Sequence, residues 1–122
     1  MFFVSRMNQS LEANGFCFWA VDEVETETFV GFVGLWRPTY SLPFTPCVEI
    51  GWRLQPQFWG FGYATEAAQK ALGIGFDDLG LPEIVSFTVP QNLRSQRVMA
   101  RLGMTRHRKI WERHRLYCWS QR

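Results

Sequence analysis

The chain has 122 residues, 47% of them apolar, and a formal net charge of +2 at pH 7. This length predicts a single domain over residues 1–122, and the apolar share is enough to form a core. The small charge argues against a nucleic-acid-binding protein, and no apolar run is long enough to cross a membrane. The widely spaced cysteines match neither a zinc site nor a disulfide framework, so we expect reduced thiols in a cytoplasm. They are Cys17, Cys47 and Cys118.

The first fourteen residues predict the end of a helix. Three apolar side chains have the spacing of one helix face, namely Val4, Met7 and Leu11. The pair Asn14-Gly15 that follows them is a suitable C-cap.

Two strands joined by a turn are predicted next. The segments 16–24 and 28–36 are rich in aromatic and β-branched residues, and the polar stretch between them fits a hairpin turn. Gly31 and Gly34 weaken the second strand locally, but they permit a bulge or the close approach of another chain segment. The prolines within 37–46 predict a loop, which either lines a substrate pocket or is a plain connection.

The rest of the chain alternates strands and helices. Residues 48–54 alternate between apolar and polar, which is the period of a half-buried strand and places Glu49 and Arg53 on one face. Apolar periodicity and caps predict the other elements: helices over 65–79 and 92–102, a strand over 83–89, and a final antiparallel pair over 104–109 and 114–120. This order predicts an α/β (α+β) fold with a mostly antiparallel sheet and helices across it.

The connection between strand 48–54 and the helix after it has the composition of an anion site. Pro56 stops the strand, and Gly60 and Gly62 let the backbone approach a ligand without an intervening Cβ. The first N–H groups of a helix lack partners within it, and the helix dipole is positive there, so this loop predicts a pyrophosphate site. No lysine follows Gly62, which excludes a Walker loop, and Thr65 replaces the third glycine of a dinucleotide fingerprint.

The remaining motif resembles that of a known family. It is similar to the Gln/Arg-x-x-Gly-x-Gly/Ala signature of the GNAT superfamily of acyl-CoA-dependent N-acetyltransferases, and it reads Gln57-x-x-Gly60-x-Gly62-Tyr63-Ala64. The resemblance implies the GNAT acyl-CoA N-acyltransferase fold, a twisted and mostly antiparallel sheet flanked by helices. It also implies an enzyme that moves an acetyl group from acetyl-CoA directly to a primary amine in a ternary complex.

Within this superfamily the chain looks most like the RimJ/RimL branch of ribosomal-protein N-terminal acetyltransferases. The run Gly-Tyr-Ala-Thr-Glu-Ala at 62–67 and the spacing of Asn92, Ser95 and Gly103 carry this likeness. It implies a protein N-terminus or a small molecule as the amine acceptor, and a homodimer as the assembly to test. The family's first strand and first helix are expected to be shortened or missing, because the N-terminal part of the chain is short.

The resemblance assigns the cofactor site to this loop and to its flanking elements. Gln57 would bond a phosphate oxygen, and Asn92 would contact the pantetheine arm. A backbone N–H where the central strand leaves its neighbour would polarise the thioester carbonyl; the residues at that position are Arg53, Leu54 and Gln55. The backbone groups expected around the pyrophosphate are those of Phe58, Trp59, Gly60, Phe61, Gly62, Tyr63, Ala64 and Thr65. Turn geometry, core packing and helix capping are the alternative roles of the glycines, the aromatic rings and Asn92.

Two side chains are candidates for proton transfer. Glu49 resembles a strand carboxylate that acts as a base in some relatives, and a surface carboxylate or a partner of Arg53 is the alternative. Many relatives place a tyrosine seven residues after the helix asparagine, but that position is Met99, which cannot donate a proton. Ser95, one turn after Asn92, is then the candidate general acid, with helix capping as its alternative.

Two other functions remain open at this point. A non-catalytic acyl-CoA-binding module, or a truncated relative, would account for Met99 and for the short N-terminal part. An RNA-associated protein would use the basic residues late in the chain, which are Arg101, Arg106, Arg108, Lys109, Arg113 and Arg115.

Overall fold

The computed structural model describes residues 2–7, 16–38, 46–107 and 117–122, and it describes side chains within these ranges from Trp19 onward. Seven strands occur in the described ranges: β1 (Phe2–Met7), β2 (Phe16–Glu23), β3 (Phe29–Trp36), β4 (Glu49–Leu54), β5 (Ile84–Thr88), β6 (Thr105–Arg106) and β7 (Tyr117–Gln121). The helices are α1 (Tyr63–Gly73), which continues as a π-helical turn over Ile74–Asp78, and α2 (Leu93–Arg101). These elements confirm the strand and helix predictions for residues 16–38 and 46–107.

The described strands form one sheet in the order β1-β2-β3-β4-β5-β7-β6. Neighbouring strands are antiparallel, except for β4 and β5, which run parallel. The chain returns to the sheet through α1 between these two strands, as a parallel connection requires. The predicted mostly antiparallel sheet is therefore confirmed, with one parallel pair at its centre.

The prediction of a helix at the start of the chain is wrong. Phe2–Met7 is a strand that pairs with β2, with Val4 opposite Val21 and Met7 opposite Trp19. β2 offers an edge of backbone N–H and C=O groups, and pairing with this edge outweighs an apolar spacing that suits a helix. A strand therefore lies where the family's first strand was expected to be shortened or missing. The predicted cap at Asn14-Gly15 lies outside the described residues.

Both helices pack on the same face of the sheet. Small side chains let α1 approach closely, and a Cβ added at Gly75 would lie 2.6 Å from the Cδ1 of Ile84. The buried apolar side chains of α1 and α2 belong to one cluster with those of the central strands; its members include Ala67, Ala68, Ala71, Leu72, Val98, Met99, Leu102, Leu35 and Ile50. This packing holds the start of each helix next to the parallel strand pair, where the candidate site lies.

The register of β3 and β4 defines the other face of the sheet. Trp36 pairs with Glu49, and Phe32 pairs with Arg53. Paired residues lie on the same side of a sheet, so the predicted placement of Glu49 and Arg53 on one face is confirmed. That face is the one turned away from α1 and α2. No helix among the described residues is long and apolar enough to cross a membrane.

Candidate active site

A gap opens between the two parallel strands at the centre of the sheet. In the described sheet, β4 and β5 are in register at Glu49 and Val85, where the Val85 N–H donates to the carbonyl of Val48 at 2.9 Å. One residue further along β4, the Ser86 hydroxyl, rather than a backbone N–H, donates to the Ile50 carbonyl at 3.1 Å. The strands thus separate beyond Glu49, earlier along β4 than the position of Arg53, Leu54 and Gln55 that the resemblance implied.

The backbone direction of β4 decides which groups enter this gap. The N–H of Gln55 donates to the Val30 carbonyl of β3 at 2.9 Å, so odd-numbered residues of this strand bond toward β3. Even-numbered residues point the opposite way, as the carbonyl of Ile50 shows. The N–H groups of Trp52 and Leu54 therefore point into the gap. The backbones of Arg53 and Gln55 are directed to β3, which corrects their expected contact with a thioester carbonyl.

The gap widens into a cleft of about 430 Å³ between β4, α1 and α2. Its walls combine apolar side chains with a few polar ones, as small-molecule sites usually do. The lining residues are Trp52, Arg53, Leu54, Pro56, Trp59, Ala64, Asn92, Arg94, Ser95 and Val98. Six of them were predicted site residues. The other four are Trp52, Pro56, Arg94 and Val98, and the packing of α2 against β4 brings the residues of these two elements together.

The glycine loop, defined as residues 55–62, forms one end of the cleft. It begins with a 3-10 turn over Pro56–Phe58 and ends at Gly62, the N-cap of α1. Gly60 and Gly62 have φ values of +86° and +81°, a region that residues with a Cβ rarely adopt. A Cβ added at either glycine would have no atom within 4 Å, so the space in front of the loop is open.

The side chains of the glycine loop are partly used within the protein. The amide nitrogen of Gln57 donates to Gln55 Oε1 at 2.8 Å, and that of Gln55 donates to the Phe29 carbonyl at 3.0 Å. This chain of contacts ties the loop to β3. In this structure, the donor group of Gln57 therefore points to Gln55 and not to the open space in front of the glycines.

Trp59 lines the cleft and is not a core residue. Its side chain is 40% exposed, its indole N–H donates to the carbonyl of Leu54 at 3.1 Å, and the guanidinium of Arg94 lies 3.7 Å above its ring. The contact with Arg94 joins the loop to the start of α2 across the cleft. Core packing, the alternative role, applies instead to the half-buried Phe58.

Tyr63 connects the start of α1 to the turn between β2 and β3. Its hydroxyl donates to Glu23 Oε2 at 2.6 Å, and Thr26 donates to the other carboxylate oxygen at 2.9 Å. The hydrogen bond from Tyr63 lowers the pKa of the Glu23 carboxyl, and the same bond raises the pKa of Tyr63. Forty residues separate the pair, so no local pattern in the sequence indicates this contact.

The other predicted residues of this region differ in their surroundings. Ala64 lines the cleft, whereas the Thr65 hydroxyl is shielded from solvent and has no hydrogen-bond partner among the described residues. Asn92 is the N-cap of α2, where its side chain accepts a hydrogen bond from the Ser95 N–H at 3.1 Å. The capping role of Asn92 is thus observed, and both Asn92 and Ser95 also line the cleft.

Glu49 lies where β4 and β5 begin to separate. It is 8% exposed, so it is not the surface carboxylate that was one alternative. Its side chain is on the sheet face away from the helices. Trp52, whose N–H points into the gap, lies three residues, or about 10 Å, further along the strand. Met99, in contrast, is 1% exposed and belongs to the core.

Two cysteines lie near Glu49. Burial, and then the charge of Glu49, raises the pKa of the Cys47 thiol to about 11. Burial likewise raises the pKa of Cys118 to about 12. These values describe inert thiols and not nucleophiles, because the thiolate is the reactive form.

We expect both thiols to resist alkylation in the folded protein. In a Cys17→Ser background at pH 8, iodoacetamide should modify Cys47 and Cys118 at least about a hundredfold more slowly than in urea, because so little thiolate is present. Ordinary thiols ionise near pH 8.5, so the free energy of unfolding should fall as the pH rises from about 8.5 to 11. Equal labelling rates in the folded and unfolded protein, measured by mass spectrometry, would contradict this assignment.

Comparison with known proteins supports the resemblance stated above. The acetyltransferase (GNAT) domain family matches residues 1–105. The FsC-acetyl coenzyme A-N(2)-transacetylase of Aspergillus fumigatus is 39% identical over 106 residues, which are 81% of this chain and 43% of that protein.

Solved structures share the fold. An acetyltransferase from Agrobacterium tumefaciens superposes with a TM-score of 0.76 at 29% identity, covering 92% of this chain and 64% of that one. The ribosomal-protein-S5-alanine acetyltransferase of Vibrio fischeri gives a TM-score of 0.72 at 20% identity, covering 90% and 63%. The chain thus spans less than half of the Aspergillus relative and less than two thirds of these two structures.

Proposed function

This chain belongs to the GNAT acetyltransferase family, and we propose that it forms one N-acetyltransferase domain that moves an acetyl group from acetyl-CoA to a primary amine. The observation that carries the proposal is the combination of two features at one cleft: separated parallel strands, and a glycine loop at the start of α1. The first exposes backbone N–H groups for a carbonyl, and the second suits a pyrophosphate. When bound, acetyl-CoA would supply an activated thioester carbonyl.

The residues at the cleft fit a long anionic thioester. The open space in front of Gly60 and Gly62 leaves room for phosphate oxygens beside the backbone. The first turn of α1 adds the positive end of the helix dipole, and Arg94 adds a cationic side chain to the walls. The gap beyond Glu49 leaves an edge of β4 where the amide groups of an extended ligand arm would pair with the backbone.

We assign each step of the reaction to a group of this chain. The N–H groups of Trp52 or Leu54, which point into the gap, would donate to the carbonyl oxygen as negative charge develops on it. Glu49 would take a proton from the amine, directly or through a water, because only a neutral amine can attack. Ser95, on the first turn of α2 at the cleft, would give a proton to the departing thiolate and regain one from the attacking nitrogen, which loses it as the C–S bond breaks.

The acceptor class follows from the relatives and is a proposal for this chain. The Aspergillus relative is named for transfer to a nitrogen N(2), and the Vibrio structure is named for an alanine of a ribosomal protein. We propose an amine on the α-carbon of an amino acid, either in a small molecule or at a protein N-terminus of the kind modified by the RimJ/RimL branch. A panel should therefore pair N-terminal peptides with free amino acids and simple alkylamines.

The test of this function measures thioester consumption and product mass with that panel. We expect turnover with wild type and a decrease in kcat/KM of about a hundredfold or more for Glu49→Gln, since general base catalysis contributes about 10²–10⁴-fold. The Kd for acetyl-CoA should stay unchanged, and raising the pH should restore part of the lost rate because more of the amine is then neutral. For Ser95→Ala we expect a smaller decrease, about tenfold.

Glu27→Gln, at an exposed position of the connection between β2 and β3, is the matched control and should leave the rate unchanged. Acetyl-CoA binding without turnover of any amine would instead support the non-catalytic acyl-CoA-binding module. A pH profile of the Glu49→Gln variant identical in shape to that of wild type would remove Glu49 from the mechanism. No binding by a folded wild-type protein would overturn the proposed function.

A further inference from the structure

An aromatic side chain stands exposed on the glycine loop. Phe61 is 68% exposed, the largest exposed fraction among the large apolar side chains of the described residues. It lies between Gly60 and Gly62, and their positive φ values turn the loop sharply on both sides of it. Exposing a phenyl ring to water is unfavourable, so a ring held outward on a ligand-binding loop indicates a contact with a ligand.

A second ring supports Phe61 from behind. The ring of Tyr63 stacks against it with centroids 5.9 Å apart and an interplanar angle of 29°, and the ring centroid of Phe58 lies 6.2 Å from that of Tyr63. The hydroxyl of Tyr63 donates to Glu23, which fixes the position of the supporting ring. One face of Phe61 is thus covered by a ring that is held in place, and its outer face is available to a planar ligand.

The charges around Phe61 and Tyr63 indicate the kind of ligand that this surface binds. The negative charges of Glu23, Glu25 and Glu66 all act on Tyr63. Carboxylates repel an anionic group but accept hydrogen bonds from an amine, so we expect the group that lies on the ring itself to be uncharged. A neutral, planar heterocycle with an exocyclic amine matches both the exposed ring and its charged surroundings, and adenine is such a heterocycle.

We propose that the outer face of Phe61, supported by Tyr63 and Glu23, is a stacking platform for the adenine base of acetyl-CoA. This inference rests on the proposed function, because it requires the pyrophosphate to lie on the same loop. A single ribose separates the pyrophosphate from the base, and Phe61 is likewise adjacent to the N–H groups assigned to the pyrophosphate. Stacking on an aromatic side chain contributes measurably to the binding of a nucleobase.

The test combines one variant with three donors whose structures differ stepwise. Acetyl-CoA carries the base and a 3′-phosphate, acetyl-3′-dephospho-CoA carries the base alone, and acetyl-4′-phosphopantetheine carries neither. We expect Phe61→Ala to raise the Kd of the first two donors about tenfold and to leave that of the third unchanged. Isothermal titration calorimetry measures all three, and the melting temperature confirms that the variant is folded.

Two further variants separate stacking from other effects. Phe29→Ala removes another exposed ring, on β3, which is 38% exposed and packs on Phe32, and it should change no Kd. Tyr63→Phe keeps the supporting ring but loses the hydrogen bond to Glu23, and it should weaken only the two adenosine-containing donors, about threefold. Glu23→Gln keeps an acceptor for the Tyr63 hydroxyl and should retain near wild-type affinity.

Two outcomes would overturn the inference. If Phe61→Ala weakens all three donors equally, Phe61 acts on the shape of the loop and not on the base. If it weakens none of them, the ring does not contact the ligand. Both outcomes leave the proposed function intact, whereas a wild-type protein that binds none of the three donors removes the function and the platform together.

Discussion

Replacing both Gly60 and Gly62 by glutamate should raise the Kd for acetyl-CoA at least about a hundredfold. Each glycine has a positive φ, which costs about 1–2 kcal/mol for a residue with a Cβ. The two carboxylates would also enter the open space assigned to the pyrophosphate and repel it. This strain shifts the free loop away from the conformation that binds the pyrophosphate, and each ~1.4 kcal/mol needed to restore that conformation raises the Kd tenfold. Isothermal titration calorimetry with acetyl-CoA measures the effect.

Gly80→Glu is the matched control for this double variant. Gly80 also has a positive φ, of +66°, and open space around a Cβ, so one substitution introduces the same kind of strain and the same charge. It follows the π-helical turn at the far end of α1, roughly 20 Å from the glycine loop. We expect Gly80→Glu to lower the melting temperature without changing the Kd. Equal affinity losses in both proteins would show that the loop is not the binding site.

Gly31→Ala should destabilise the fold by about 3 kcal/mol or more. An added Cβ would lie 2.1 Å from the carbonyl oxygen of Arg53 and 2.8 Å from the Cα of Leu54. Both are backbone atoms of β4, so relief requires β3 and β4 to move apart, and such overpacking commonly costs about 1–3 kcal/mol even where side chains can adjust. Urea unfolding followed by tryptophan fluorescence measures the free energy of unfolding, and failure of the variant to fold would be the extreme of the same effect.

Alanine substitutions at two other glycines serve as comparisons for Gly31→Ala. At Gly51 an added Cβ would lie 2.4 Å from the Cη2 of Trp36, a side-chain atom that can shift, so Gly51→Ala should cost less than Gly31→Ala. At Gly73, inside α1, no atom lies within 4 Å of the added Cβ, and Gly73→Ala should be neutral or stabilising by about 0.4–1 kcal/mol. Similar stabilities for the Gly31 and Gly73 variants would show that β3 and β4 accommodate the extra carbon.

Local patterns predicted much of the candidate site. The alternation along β4 placed Glu49 and Arg53 on one face, and the pairing of that strand with β3 confirms it. Proline and glycine marked the glycine loop, and Asn92 was placed at the start of α2, where it caps the helix. Each of these features depends on spacing within one element or one turn, which the order of the residues already contains.

Contacts between distant segments were not predictable in this way. The bond from Tyr63 to Glu23 spans forty residues, and the stacking of Arg94 on Trp59 depends on how α2 packs against β4. The N–H of Leu54 points into the gap, whereas that of Gln55 does not. This difference is also non-local, because it depends on which neighbouring strand each backbone group faces. The residue pattern does not indicate this direction until it is known that β3 forms its hydrogen bonds with the odd-numbered residues of β4.

The sequence by itself determined where the strands and helices within residues 16–38 and 46–107 lie, which turn carries the glycines, and the family resemblance that these features support. Hydrophobic periodicity and the prolines and glycines that end an element act over a few residues, so the surrounding fold has little effect on the elements that they define. Only the tertiary structure decided that the first residues form a strand, that Glu49 is buried, and that Phe61 stands exposed on Tyr63. These outcomes depend on the neighbours that the folded chain provides, because backbone groups must find partners and apolar surface is buried wherever the packing allows it.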